Sequence, residues 1–229
     1  SGPGQNEIDF RSSDALQTAD HFITYKNAVS NISARNGMHA SFKAKPLEAE
    51  SGNGLHLKIS LNRGGQILDE TNPEITTCFM AGVFHRMRDI TVFLNTQVDS
   101  YQRFGQKEAP KYITWSSQNR SRLLRVPEVL GKRQGFILRS PDSAINPYLA
   151  FSMVILAGIE GIKNKESLPE PLDISSRLVS DEEKEKFEKL PQSLSEAVDC
   201  AKHSSFLQSD ALKNIANRYI EVVEDFVLS

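Results

Sequence analysis

The segment from Asn146 to about Lys163 constrains this chain more than any other. Asn146-Pro147 reads as a helix start, because Asn caps the first free N–H groups and Pro suits the first turn. From Tyr148 to Ile159 the residues that follow are apolar on nearly every side. A helix without a polar face has nowhere to go except the interior, so a buried central helix is expected, with the other elements arranged around it. The apolar run is too short and too interrupted to span a bilayer. With 229 residues, enough chain exists to bury that helix in one large domain or two small ones.

The flanking sequence supplies the partners. Residues 12 to 36 place Leu16, Ala19, Phe22, Ile23, Val29 and Ile32 at helical spacing, with Ser12, Ser13 or Asp14 as cap and Asn36-Gly37 as stop. Residues 74 to 94 read as one helix. His39 to Lys45 alternates and ends at Pro46, a strand signal. Gly54 to Leu61 is a cleaner strand, with Leu55, Leu57, Ile59 and Leu61 on one face and His56, Lys58 and Ser60 on the other. Lys111 to Trp115 and Gly135 to Arg139 read as further strands. A Pro-rich loop at 168 to 171 precedes a charged helical tail from 181. In its last helix Leu212, Ile215, Tyr219, Val223 and Phe226 form a stripe. The order predicts an α+β domain with a mainly antiparallel sheet.

Bulk properties exclude more than they assign. A net charge of −2 with no Lys/Arg block gives no nucleic-acid footprint. Two cysteines, Cys78 and Cys200, make neither a disulfide framework nor a metal knuckle and fit a cytoplasmic protein. The chain opens Ser1-Gly2-Pro3-Gly4 without methionine or signal peptide, and reads as a piece of something longer.

Several residues could carry chemistry. Arg103, Arg120, Arg125 and Arg139 come from separate segments, and guanidinium forks gathered from different strands suit carboxylates and phosphates. Arg120, Arg122 and Arg125 read equally as charges on a solvated edge strand. Arg139 next to Ser140-Pro141-Asp142 needs an anionic partner if buried, and Asp142 is available. His56, Lys58 and Ser60 form either a polar site floor or the wet side of a half-buried sheet. Gly52-Asn53-Gly54 either admits a ligand close to backbone N–H groups or is a turn. Glu7 is a metal ligand or a surface charge.

Taken in order, Gly4-Gln5-Asn6-Glu7, Lys45-Pro46-Leu47, Gly52-x-Gly54-x-His56, Asp99-Ser100-Tyr101-x-Arg103, Glu108-Ala109-Pro110, Asn119-Arg120-Ser121, Arg139-Ser140-Pro141-Asp142 and Asn146-Pro147-Tyr148 resemble the C-terminal catalytic domain of glutamine synthetase, bacterial type I. The likeness runs from about residue 4 to residue 171, more loosely through the tail. It implies a curved, mainly antiparallel sheet with packed helices, and an ATP- and magnesium- (or manganese-) dependent ligase that phosphorylates glutamate and displaces phosphate with ammonia or another amine. It implies Glu7 and His56 as metal ligands, Gly52 and Arg103 as substrate contacts, and Ser60, Arg120 and Arg125 near the nucleotide. Glu108 is implied on a closing flap, and Arg120 and Arg139 as charge neutralisers. It also implies self-association in the full-length protein and an N-terminal domain not included in these 229 residues. The departures are Ile137 where the family has a metal-binding Glu, Ser51 for Asn, Lys58 for a common His and Gln118 for Arg. They favour a form that is inactive by itself, or a non-catalytic relative with an assembly or regulatory role.

Overall fold

The computed structural model describes residues 2–107, 109–117, 119, 122–129, 132–173 and 180–228. The chain begins with α1 (Ala15–Arg35), where the Asp14 side chain accepts from Gln17 N and caps the first turn. Only the middle of its stripe packs inward. Ala19 and Phe22 are buried, whereas Leu16 and Ile32 at the two ends lie open to solvent.

Next come β1 (Leu57–Ile59), β2 (Asn62–Arg63) and β3 (Gln66–Ile67), then the single turn α2 (Leu68–Thr71) and the helices α3 (Pro73–His85) and α4 (Met87–Leu94). The expected strand at 39–45 is absent. Its backbone groups are taken one at a time by loop partners: Ser143 Oγ donates to Phe42 O, Asn53 Nδ2 to Lys43 O and Asn53 N to Ala44 O, so no ladder forms. The expected single helix at 74–94 is two helices. The chain leaves helical geometry at Arg86, whose guanidinium instead clasps Glu160 and Glu166.

The middle of the chain contributes α5 (Val98–Gln102), β4 (Trp115–Ser116), β5 (Leu124–Arg125), β6 (Glu128–Val129), β7 (Lys132–Arg133) and β8 (Phe136–Leu138). Most of the strand expected at Lys111–Trp115 is instead held by the tail: Tyr112 forms a single bridge with Lys189, and Ile113 N donates to Glu188 O. Among the described residues the main sheet has four short strands in the order β1-β8-β5-β4. Two of its pairings are antiparallel, and β4–β5 is parallel.

The remaining helices are α6 (Pro147–Asn164), α7 (Asp181–Lys184), α8 (Leu194–Lys202) and α9 (Lys213–Leu228). Asn146 caps α6 as expected, accepting from Tyr148 N and Leu149 N. One side of α6 is the centre of the fold. Its other side exposes Tyr148, Ile155 and Ile159, so the all-round burial that its composition predicts is not reached. In α9 the inward stripe is Ala216, Ile220 and Val223, continuing from Leu212, with Tyr219 stacked on Phe93 at 4.5 Å; Ile215 points outward.

The seam between α3 and α6 is made of backbone. A Cβ on Gly82 would sit 2.2 Å from Ala157 O and 2.7 Å from Gly161 Cα. One on Gly161 would sit 2.3 Å from Cys78 O, and one on Gly158 would enter the Phe79 ring. These glycines let two helices touch along their axes, and methyl groups at Gly82 and Gly161 would meet only backbone, with no flexible side chain to displace. Helix propensity favours alanine over glycine by about 1 kcal/mol, but overpacking against fixed backbone outweighs it. Gly82→Ala and Gly161→Ala should each lose about 2 kcal/mol net, read as a lower urea midpoint; an unchanged or raised midpoint would contradict the seam.

A second clasp closes the far end of this pair. Arg86 donates to both carboxylate oxygens of Glu166, at 2.9 and 2.7 Å, and to Glu160 at 3.0 Å, while His85 Nδ1 lies 3.0 Å from Glu166. The Arg86 bonds hold the Glu166 carboxyl down, at about 2 rather than 4.5. A carboxyl lowered in the folded state stabilises above its ordinary value and loses that contribution as pH falls through the folded one. Urea titrations across pH should therefore show wild-type stability falling between about pH 4.5 and 2. Glu166→Gln should be less stable at neutral pH and flatter over that window.

Candidate functional site

The chain returns to one place from four directions. The loop 51–54 leads toward β1, Arg103 follows α5, Arg139 follows β8, and the segment 140–145 leads into α6. The sheet's register sorts its side chains into two faces. Leu57, Leu138, Leu124 and Trp115 are cross-strand neighbours on the core face. Lys58, Ile137, Arg125 and Ser116 form the opposite row, and the two-residue alternation adds His56 and Arg139 to that second face.

Arg103 is the anchor of the site. The residue is 4% exposed, and its guanidinium donates through Nη2 to Ser140 O and to Pro141 O, the latter at 3.0 Å. Its stem lies across Gly52, where a Cβ would come within 2.5 Å of Arg103 Cδ and 2.6 Å of Ala44 O. Above Gly54 a Cβ would meet Arg103 Nη1 at 3.0 Å and His56 Nε2 at 3.6 Å. The absence of side chains at 52 and 54 is therefore what admits the arginine and the imidazole to the same small space.

Asp142 supplies the counter-charge. It is fully buried, accepting from Asn95 Nδ2 and from Ala144 N, each at 2.9 Å. Asn95 also donates to Ser140 O, and its own carbonyl accepts from Tyr101 Oη at 2.8 Å. Burial pushes the Asp142 carboxyl up, and Arg103 opposes that shift. Burial likewise pulls the Arg103 guanidinium down, with Asp142 raising it and Arg139 adding to the fall. The anionic partner expected for Arg139 thus acts on Arg103.

His56 feels the same convergence. Desolvation first, then Arg139, Arg103 and Lys58, together lower its imidazole from 6.5 to about 4, against an opposing pull from Asp9. The ring is neutral at neutral pH, with a lone pair available on one nitrogen.

The other expected residues fall as follows. Glu7 is exposed on an extended segment that Gln5 ties to the 52–54 loop, donating to Gly52 O at 3.1 Å and to Asn53 Oδ1 at 2.8 Å. Ser60 follows β1 on the site face, and Arg125 lies on β5 beside Ile137. Arg122 is not part of the site: it is buried and donates to Leu172 O, beside Asp173, which accepts from Ser116 and Ser117. Glu108, Gln118 and Arg120 lie outside the described residues. Sequence reasoning missed Asn95 and Asp9. An Asn closing the apolar run Val92-Phe93-Leu94 was a usable signal for the first; a carboxylate two residues after Glu7 was one for the second.

The family profile of the glutamine synthetase catalytic domain matches residues 1–225. The chain belongs to that family. It is 39% identical over 227 residues to a glutamine synthetase of Methanosarcina mazei, covering 95% of this chain and 51% of the relative. It is 36% identical to one from Methanocaldococcus jannaschii, covering 96% and 51%. A solved structure of a GmaS/ADP complex superimposes with a TM-score of 0.81 at 27% identity, over 93% of this chain and 51% of that one. The chain thus spans about half the length of the relatives it matches.

Divalent metal use is general in glutamine synthetases, but the donor set here does not fit a magnesium ion, which takes several oxygens. Among the described residues no three His, Cys, Asp or Glu side chains gather as a metal cluster. His56 has three cations, Arg139, Arg103 and Lys58, and one carboxylate, Asp9, acting on it, and Ile137, an alkyl group, lies between Lys58 and Arg125.

The convergence is testable without substrate. In an NMR titration the His56 ring should stay unprotonated down to about pH 4, and Arg139→Met should move its midpoint upward. His56 is a solvent-exposed residue, so a midpoint near 6.5 in the unaltered protein would mean that the arginines do not act on its ring.

Proposed function

We propose that these residues are one half of an ATP-dependent carboxylate–amine ligase working through an acyl phosphate. The observation that carries this reading is the meeting of Arg103 and His56 at the side-chain-free backbone of Gly52 and Gly54, with Arg139 near enough to act on both side chains. The reaction has two parts. A glutamate side-chain carboxylate oxygen attacks the γ-phosphorus of ATP and ADP leaves. The nitrogen of ammonia, or of another amine, then attacks the acyl carbon, phosphate leaves and the nitrogen gives up a proton. Both parts develop negative charge on oxygens that pre-placed cations stabilise, and neither asks the protein to form a covalent bond.

In this reading Arg103 and the Gly52 backbone set the amino-acid end of the substrate, with Arg103 held rigid by Asp142 and the 140–141 carbonyls. Arg139 lies toward the transferring phosphoryl group, Arg125 and Ser60 toward the nucleotide, and His56 between the two. Glu108, as the base that receives the amine's proton, and Arg120, as a second phosphoryl contact, carry over from the family pattern. A structural relative solved as an ADP complex supports a nucleotide on this fold. Glu7 and His56 alone are too few donors for a divalent ion, so the 229 residues are proposed to be inactive by themselves. Ile137 favours a second reading, a non-catalytic member kept for assembly or regulation.

Hydroxylamine trapping of the acyl phosphate separates these possibilities. A chain carrying these residues together with the rest of the relatives' length should form hydroxamate only with ATP and glutamate, and Arg139→Met should reduce it by about 100-fold. The 229 residues alone should form none. Trapping that ignores Arg139 would sink the assignment, no trapping in the longer chain would leave the non-catalytic reading, and hydroxamate from residues 1–229 would overturn the proposed inactivity.

A further inference from the structure

The row Lys58, Ile137, Arg125, Ser116 crosses all four strands on the site face. Neighbouring strands lie about 4.8 Å apart, so the two cationic residues stand roughly 10 Å apart at their backbones with the isoleucine between them. Both have long side chains that can close over it. Ile137 is buried and offers no lone pair. Lys58 pairs with Asp9 at 3.7 Å, in a pair whose side chains are 68% and 82% exposed; such pairs are weak and easily exchanged. Arg125 is half-buried, and its Nε is buried without a hydrogen-bond partner. Two residues along the same face, His56 is hemmed by Arg139 and Arg103. The face carries fixed positive charge where a divalent cation would have to sit, so an arriving metal ion is repelled and an arriving anion is not.

We infer that Lys58 and Arg125 bind the diphosphate of a nucleotide directly across Ile137, without a divalent cation. The inference deepens the nucleotide site of the proposed function and rests on that reading. An ammonium point charge and a guanidinium fork neutralise two phosphate groups from opposite sides, the task a metal ion bridging them would otherwise perform. The alkyl floor keeps water from competing beneath the phosphates. The ligand class is a nucleoside diphosphate; free pyrophosphate shares its charged part and lacks its base.

Calorimetric titration of the 229-residue protein with ADP, once in excess EDTA and once with magnesium, tests this. The expected result is equal affinity in both. Lys58→Gln, a change at an exposed site that leaves the core untouched, should weaken ADP by about tenfold, and Arg125→Gln should do the same. Pyrophosphate should compete with ADP and adenosine should not. Ile137→Glu sets a carboxylate between the two cations; it should abolish binding in EDTA and restore it with magnesium. ADP binding that requires magnesium in the unaltered protein, or that is indifferent to Lys58→Gln, overturns the metal-free site while leaving the ligase reading intact. Tighter binding of adenosine than of pyrophosphate overturns it as well. No binding of ADP under either condition overturns the metal-free site as well, while the ligase reading is decided by trapping in the longer chain.

Discussion

Two helices pressed backbone to backbone govern this structure. Gly82 on α3 and Gly158 and Gly161 on α6 remove the side chains that ordinarily hold helix axes 8 to 10 Å apart. The remaining contacts follow from that approach. The Phe79 ring packs over Gly158 and reaches Phe136 on β8. Arg86 leaves helical geometry where the pair ends and closes on Glu160 and Glu166. At its other end α6 begins at Asn146, immediately after the segment that carries Arg139, Ser140 and Asp142. A helix fixed along its length by backbone contact therefore sets the position of the loop that holds Arg103, and through it the shape of the site.

The site depends on a burial that would be unfavourable piece by piece. An arginine and an aspartate withdrawn from water each lose several kcal/mol of hydration unless their remaining groups are satisfied. Here the aspartate accepts from Asn95 and Ala144, and the arginine donates to two carbonyls. The order of the site is consequently shared among α4, α5 and the 140–145 segment. Lys26 on α1 adds a further tie, donating to Ser143 O at 2.7 Å.

The sequence made some of this visible and hid the rest for physical reasons. The caps at Asp14 and Asn146 are local signals, and the fold kept them; of the strand expected at 54–61 it kept only Leu57–Ile59. The strand expected at 39–45 failed because alternation says nothing about whether a partner strand is free. The break at Arg86 is invisible to helical periodicity, since the residues on both sides stay in phase while the cause, a pair of carboxylates on α6, is 74 and 80 residues away. Ile215 fits the helical stripe as well as Ala216 does; packing chose the smaller residue. At the site, residue types and order pointed to Gly52, His56, Arg103 and Arg139. The exchange of Arg139 for Arg103 as the partner of Asp142 could not be read, because it turns on tertiary placement.

Gly135 carries a consequence for how such a face could change over generations. Its φ of +66° and the 1.9 Å that would separate a Cβ from Ile59 O leave no room for any other amino acid while β1 and β8 stay paired. Point mutation can therefore exchange the groups at 58, 125 and 137, but it cannot add one at the end of β8. The evolutionary routes open to this surface run through substitution in place, and a lineage seeking a different ligand would have to re-use the cationic and apolar positions it already has.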